Sequence, residues 1–525
     1  MIRKRDPREP LLISRFDELL SRSAYNELKN GWEGIFRSVI LALLPIAEVE
    51  EKFSHTSGRP TKELYSMTGL ILLKDFFNWS VEETRKQYMT NLAIQYALNV
   101  EEDAVELSRH TLLRYIDWLR KKEFMQKAMI QLTTALIKKY NIKTDEQRHD
   151  SSHVFSNMAV WSRKKLLHQI IYRFLAQVKR HMKEEYSQLD ADLRERYEKH
   201  SGWIFGETSP MKLKRRGKNY TAEEQLGYDM EKLIERFAKD KKASNMNSYK
   251  DMVRVFSEQF VDKDGKAELN PHPGGKILVN PSDPDAEIGH KGAGYQVQVT
   301  ETCSDENKVQ LITAAIPQGA SASDMDSLKE NQDQLVKNGI APEKLFADAG
   351  FGSDENYKNA ADAGIELIAP TPHQPPDKVG LDQCKLDENN VVTECPAGNR
   401  PMVSYFKNGS GRAVFHISVC NSCPLLPQCR SMKSGKQNRA FRYDESYLRT
   451  RARRLREATP EFKKEYGHKR CPIEGLFGRL KQFSQLRRVR VRGRPAVFHS
   501  IFAILIMHNI MQVARLVKIQ NKKAA

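Results

Sequence analysis

Residues 344–352 read KLFADAGFG. Lys344 to Ala347 has the length and apolar content of a buried strand, and it ends on Asp348, followed by Ala349, Gly350, Phe351 and Gly352. A carboxylate at the C-terminal end of a strand, beside glycines that let a ligand come close, stands where α/β sheets place chemistry. The same letters suit an aspartate that merely opens a turn. QRHDSSHVF at 147–155 puts Asp150 in a similar place on a short strand of its own. Between and beyond these lie YQVQVTET at 295–302, VQLITAAI at 309–316, a helical pattern over Leu328 to Asn338, and a last short strand over Ile365 to Ala369. Strand, strand, helix, strand, helix, strand predicts an α/β core.

The flanking sequence is of other kinds. Residues 1–125 read as helical: Leu64 to Phe77 is apolar at helical spacing, and Ser80 with Glu83 forms a capping-box pattern for the next helix. Ser108-Arg109-His110-Thr111 then leads into Leu112, Leu113, Tyr115, Ile116 and Leu119. With Gly58-Arg59-Pro60 upstream, these short helices have the outline of a helix-turn-helix module, although most small helical clusters bind nothing. Leu166 to about Phe260 is helical and highly charged, Asn270 to Gly294 reads as loop, and Pro370 to Ser434 is loop-like and rich in cysteine and proline. The remainder reads as helical and basic. The expected divisions are an all-α N-terminal domain at 1–125, core segments at 126–165 and 276–370, a helical insertion at 166–275, a cysteine-rich insertion at 371–435, and a basic helical segment at 436–525.

The 525 residues suggest about three or four domains. Hydrophobic residues make up 40% of the chain, which excludes a disordered-type composition. The formal net charge is +18, and it is unevenly placed. From Arg430 onward there are 25 Lys and Arg against 6 Asp and Glu, whereas the preceding stretch holds 60 against 61. Arg449, Arg451, Arg453, Arg454 and Arg456 form one cluster; Arg487, Arg488, Arg490, Arg492 and Arg494 form another. A charge run is ordinarily a solvated helix face. Two arginine-dominated clusters in one basic region instead suit the bidentate grip of phosphate, with nucleic acid as the natural polyanion. Ala496 to Val517 is the most apolar segment, but His499, His508, Asn509, Gln512 and Arg515 interrupt it, so a buried helix is expected and not a membrane span. The N-terminus lacks a signal-peptide core. A cytoplasmic, nucleoid-associated protein is therefore expected.

The third acid of interest is Glu474, on a helix with Pro472 in its first turn and Ile473, Leu476, Phe477 and Leu480 as its apolar face. At about 100° per residue, Arg470, Glu474 and Lys481 fall within roughly 40° of one another on a helix, although Pro472 could leave Arg470 on the preceding turn. Alone, such a row reads as surface ion pairs. Three acids converging would suit hard divalent cations, which activate one oxygen and stabilise another in phosphodiester chemistry.

Asp150 in HDSSH, Asp348 in FADAGFGS, and Arg470, Glu474 and Lys481 in RCPIEGLFGRLK resemble the DDE signature of bacterial insertion-sequence transposases. GRP near residue 58, DPDAEIGHKGAGYQVQVTET and the cysteine-rich stretch between the second and third acids extend the resemblance over most of the chain. Tyr466 stands one residue further upstream than the family's usual spacing. The resemblance implies an RNase H-like catalytic core, a mixed sheet flanked by helices, with the 198 residues between the first two acids explained by the insertion. It also implies that Asp150, Asp348 and Glu474 bind two Mg²⁺ (or Mn²⁺) ions. Water attacks the phosphodiester at the element's end, and the freed 3′-OH attacks target DNA. Arg470, Lys481, Arg487, Arg488, Arg490 and Arg492 are the expected substrate contacts. Double-stranded DNA, as terminal inverted repeats and target, is the expected partner of a homodimer in a synaptic complex. The alternative is a catalytically inactive, transposase-derived DNA-binding regulator; a nuclease without strand transfer is a third reading.

Five of the seven cysteines lie between Cys384 and Cys429. Cys395, Cys420, Cys423 and Cys429 are spaced C-x24-C-x2-C-x5-C, compatible with a closed tetrahedral Zn²⁺ site in a zinc-ribbon-like insertion. Disulfides compete, but a reducing compartment disfavours them. Cys303, Cys384 and Cys471 read as ordinary thiols. A hydrolase triad in HDSSH is disfavoured because neighbours on a strand face opposite ways and no GxSxG elbow is present. No P-loop or dinucleotide fingerprint is present either.

Overall fold

The computed structural model describes residues 2–9, 14–101, 105–121, 124–198, 213–215, 218–263, 266–372 and 378–524. Parts of the expected helical stretches (10–13, 102–104, 122–123, 199–212, 216–217, 264–265) and 373–377 of the cysteine-rich stretch lie outside the described residues.

Six strands form the main sheet: β1 (Glu146–Val154), β2 (Glu287–Gly289), β3 (Gly292–Thr302), β4 (Ile312–Gly319), β5 (Lys344–Phe346) and β6 (Glu366–Ile368). Their order is β6-β5-β1-β3-β2, with β4 also paired to β3. β1 runs antiparallel to β3 and parallel to β5, so the sheet is mixed. Gly294 lies at φ +142, and a Cβ there would meet the Val154 carbonyl oxygen at 2.7 Å, so only glycine lets β3 lie this close to the end of β1.

Strand alternation divides the chemistry between two faces. Arg148, Asp150, Ser152 and Val154 lie opposite Glu301, Val299, Val297 and Tyr295, and share their face. Val297, Val299 and Tyr295 join the largest core there, with helices from both ends of the chain. Gln147, His149 and Ser151 point the other way, beneath the helix Asp324–Lys337, into a polar layer.

The helices that matter for the site are α1 (Leu64–Phe76), α2 (Val81–Thr90), α3 (Arg109–Lys121), α4 (Phe124–Tyr140), α5 (Arg163–His181), α6 (Ala222–Phe237), α7 (Asn247–Gln259), α8 (Asp324–Lys337), α9 (Asp354–Asp362), α10 (Glu445–Glu457), α11 (Pro460–Arg470), α12 (Ile473–Phe483) and α13 (Arg494–Ala524). In the polar layer His149 Nδ1 lies 2.8 Å from Thr300 Oγ1, and Thr300 donates to Asn331 of α8 at 2.6 Å. Burial lowers the His149 pKa to about 3, so its ring is neutral. The Ser80–Glu83 capping box at the start of α2 is present as the sequence predicts.

α13 spans 31 residues, about 45 Å at 1.5 Å per residue. Its stretch Arg494–Asn521 is long and apolar enough to cross a membrane, but 83% of the apolar window is buried inside the fold. Its polar interruptions have structural uses. Asn509 accepts from the Ile312 backbone N–H and donates to the Ile312 carbonyl, both at 2.8 Å. α5, α6 and α7 gather a separate core around Phe174, Leu226, Met230 and Met252.

Four expectations need correction. The strand expected at 309–316 starts at Ile312 and runs to Gly319, and part of the 270–294 loop is β2. The stretch 370–434 is largely loop, as expected, but strands also run through it. It contains β7 (Val403–Lys407), β8 (Ser410–His416) and β9 (Met432–Lys433), which join β10 (Asn438–Asp444) in an antiparallel sheet of order β7-β8-β10-β9. Asn408 and Gly409 at φ +51 and +74 form the tight turn between β7 and β8, an Asn-Gly hairpin signal that the abundance of cysteine and proline obscured. Consequently the basic C-terminal segment begins with a strand. Of the two placements the sequence left open for Arg470, the structure shows the one before Pro472: Arg470 ends α11, whereas Glu474 and Lys481 lie on α12.

Candidate active site

Asp150 lies at the middle of β1, and its surroundings are built by its neighbours on the same face. Two residues earlier, Arg148 donates from Nε to Glu301 Oε2 at 2.8 Å and from Nη1 to the Lys469 carbonyl at 3.2 Å. Lys469 in turn reaches Glu146 Oε2 at 2.6 Å and Asp305 Oδ2 at 2.8 Å. These contacts fix the last turn of α11 over β1. The next residue, Arg470, places Nη2 at 2.8 Å from Asp150 Oδ2 and 3.8 Å from Asp348 Oδ2.

Asp348 arrives through parallel pairing. Phe346 of β5 stands beside Arg148 of β1, so two residues further on the chain brings Asp348 alongside Asp150. Both readings of this aspartate hold. Its Oδ1 accepts from the Gly350 N–H at 2.8 Å and closes the turn, while Oδ2 faces Arg470. A Cβ at Gly350 would stand 3.0 Å from that Oδ1.

The two carboxylates stand no further apart than 2.8 Å and 3.8 Å laid end to end. Burial pushes the Asp150 pKa up and the nearby Asp348 adds to this, while Arg470, the Ser151 N–H and Lys291 pull it back. Two acids in one half-buried place create a demand for positive charge. Arg470, itself 10% exposed, meets that demand in this state.

Tyr466 lies one turn before Arg470 on α11, and its hydroxyl donates to the Ala347 carbonyl at 3.1 Å, next to Asp348. Burial raises its pKa to about 12, so it remains a neutral donor. The displaced tyrosine of the sequence thus supports the turn that carries the second acid. Lys291, which sequence reasoning missed, stands with Nζ 3.5 Å from Ser151 Oγ. Lys481 feels both Asp150 and two cations, Lys291 and Arg487; burial and those cations lower its pKa. Positive groups therefore converge around the acids.

Glu474 is the second residue of α12 and is exposed. It shares its helix with Lys481, seven residues on, beside the buried stripe Ile473, Leu476, Phe477 and Leu480. Among the described residues, no three His, Cys, Asp or Glu side chains are gathered as a metal-holding group. The structure thus unites the first two acids and leaves the third at the start of the adjoining helix.

The two arginine clusters part company. In the first, Arg449 and Arg453 pair with Asp354 at 2.8 and 3.1 Å, Arg454 pairs with Asp382 and Arg456 with Glu366. It fastens α10 to α9 and its neighbourhood. The second forms an extended ribbon beside the end of β1: the Phe155 N–H donates to the Arg487 carbonyl at 2.9 Å and the Val489 N–H to the Phe155 carbonyl at 3.0 Å. Val489 is buried while Arg487, Arg488, Arg490 and Arg492 are exposed. Arg488 lies over the Phe155 ring and Arg492 donates to the Asn157 carbonyl.

All seven cysteines are free thiols. Cys395, Cys420, Cys423 and Cys429 line one apolar cavity of about 30 Å³. The Ser431 N–H points at Cys429 Sγ from 3.4 Å. Cys384 is not part of that lining, and burial pushes its thiol up to about 12.

Two family models match the chain. That of the transposase DDE domain covers residues 394–514, including Arg470, Glu474, Lys481 and the second arginine cluster. That of a transposase domain (DUF772) covers residues 26–118. No curated protein and no solved structure matches the chain.

Proposed function

Because the chain belongs to the insertion-sequence DDE transposases, we propose that it cleaves DNA at the ends of its element and joins the freed 3′-OH to target DNA. Asp150, Asp348 and Glu474 are its three acids on an RNase H-like core. The observation that carries this reading is the meeting of Asp150 and Asp348 over Arg470 at the centre of the sheet. The residues fit a divalent cation: two carboxylates share one positive partner, and one of them is held towards neutrality by burial. Asp150 and Asp348, joined by Glu474 from the first turn of α12, would hold Mg²⁺ or Mn²⁺. When bound, such ions supply Lewis-acid polarisation and stabilise developing charge on phosphate oxygens.

This chain's own residues supply the grip. Arg470 and Lys481 hold the phosphate beside the acids, with Lys291 in support. The exposed arginines of the ribbon, Arg487, Arg488, Arg490 and Arg492, hold the strand that leads to it. Residues 126–165, 276–370 and 436–525 form the core, 166–275 and 371–435 are inserted into it, and 1–125 holds the element's terminal repeats. A cytoplasmic homodimer on double-stranded DNA brings two ends together. The test is incubation with DNA carrying the element's own flanks, in Mg²⁺ or in EDTA. Nicks at a defined flank and joined products, in Mg²⁺ only, are expected. Binding without cleavage would mark a regulator, and cutting without joining a nuclease.

The reading extends to structural zinc, on the type of donor and not on their present arrangement: Cys395, Cys420, Cys423 and Cys429 line one cavity, and although no three of them are gathered as a metal-holding group here, they would have to draw together to close a tetrahedral site. About one zinc per chain is expected on release with a mercurial reagent, and Cys423→Ser is expected to lose it and to open 384–444 to protease. Full metal release with unchanged proteolysis would remove the structural role; absence of zinc from the purified chain would remove the site.

A further inference from the structure

One cleft lies apart from Asp150, Asp348 and Glu474 and is lined by none of them. It encloses about 900 Å³ between α2, α3 and the loop that precedes α1. Its lining is basic: Arg59, Lys62 and Arg114 are joined there by Arg3 and Arg85, against one acid, Glu106. Arg85 is paired with Glu82 at 2.6 Å, whereas Arg59, Lys62 and Arg114 make no ion pair among the described residues.

One wall is aromatic. Phe53 meets Trp118 edge-on at 4.9 Å and Tyr115 at 5.7 Å, and Tyr115 lies 5.4 Å from Trp118. Arg114, Tyr115 and Trp118 share one side of α3, since residues four apart on a helix are neighbours. The helix therefore sets unpaired charge beside a cluster of rings. Phe53 and Trp118 remain partly exposed to the cleft.

A duplex presents phosphates outward but keeps its base faces stacked inside. An aromatic wall within a basic cleft gains most from bases that have left the stack. An acidic peptide would use the cations and leave the rings without a planar partner. We propose that this cleft binds unpaired nucleotides of a DNA end, with Arg59, Lys62 and Arg114 on phosphates and with Trp118 and Phe53, backed by the buried Tyr115, forming a wall for a base. That such ends arise from cleavage rests on the transposase reading; the binding itself does not.

The experiment uses the full chain in EDTA, with a labelled duplex that carries a four-nucleotide single-stranded end and the same duplex blunt. The single-stranded end is expected to tighten binding about tenfold or more. Trp118→Leu is expected to erase most of that difference. Arg59→Gln, on an exposed loop, is expected to lower the salt dependence of binding to the single-stranded end by about 0.7 in log–log slope. Equal affinity for the two DNAs, or a preference that survives both substitutions, would overturn the proposal. Cleavage in Mg²⁺ is measured on the same proteins. A chain that cuts without this preference loses the cleft alone, whereas one that keeps the preference and never cuts loses the catalytic reading.

Discussion

Asp150→Asn is expected to reduce Mg²⁺-dependent cleavage by at least about a thousandfold, on the order of 4 kcal/mol in activation free energy, while DNA binding changes little. The substitution keeps the shape of the side chain and removes its charge, and a hard cation depends on anionic oxygen. The fold should tolerate it. Burial and Asp348 already push the Asp150 carboxyl towards its neutral form, so a neutral amide there relieves a cost. Arg470 would exchange an anionic acceptor at 2.8 Å for a neutral amide oxygen and keep the charge of Asp348 at 3.8 Å. Cleavage is compared with wild type on the same flanking DNA, alongside a denaturation midpoint. Cleavage within tenfold of wild type by a folded variant would exclude Asp150 from the metal-binding role. A collapsed midpoint would assign the loss to folding, and Asp348→Asn, at a side chain 46% exposed, then provides the same test with less structural risk.

Much of this centre was legible from local signals. KLFADAGFG carried both the strand and its carboxylate, because a short apolar run closed by glycines has few other conformations available. QRHDSSHVF gave the central strand, found as Glu146–Val154. The meeting of the two acids was not legible from spacing, since it depends on the parallel pairing of Arg148 with Phe346, nearly two hundred residues apart. The sequence left Arg470 open to either side of Pro472, and the structure places it before the break. The first arginine cluster looked like a polyanion site because the carboxylates that neutralise it, Asp354, Asp382 and Glu366, lie far upstream in sequence. Lys291 had no signal of its own. Glu301 did have one: in YQVQVTET it occupies the same phase as Tyr295, Val297 and Val299, and a charge on a buried face requires a partner.

That partner yields the last prediction. Arg148→Ala is expected to destabilise the protein by about 3–5 kcal/mol, the usual cost of leaving one member of a buried ion pair alone. Glu301 is fully buried, burial raises its pKa despite Arg148, and its Oε1 has no hydrogen-bond partner. Without Arg148 its Oε2 loses its donors as well. The Lys469 carbonyl loses a contact too, which loosens the turn that presents Arg470. Arg148→Met with Glu301→Leu removes both charges and retains the volume, so it should recover most of the stability. The two effects then separate. Urea midpoints report the buried charge, which the double variant relieves. Cleavage reports the placement of Arg470, which the double variant restores only in part, because no donor reaches the Lys469 carbonyl. A single variant as stable as wild type would mean that Glu301 finds another partner or takes up a proton at little cost. A double variant with full cleavage would mean that Lys469, through Glu146 and Asp305, holds the end of α11 without help from Arg148.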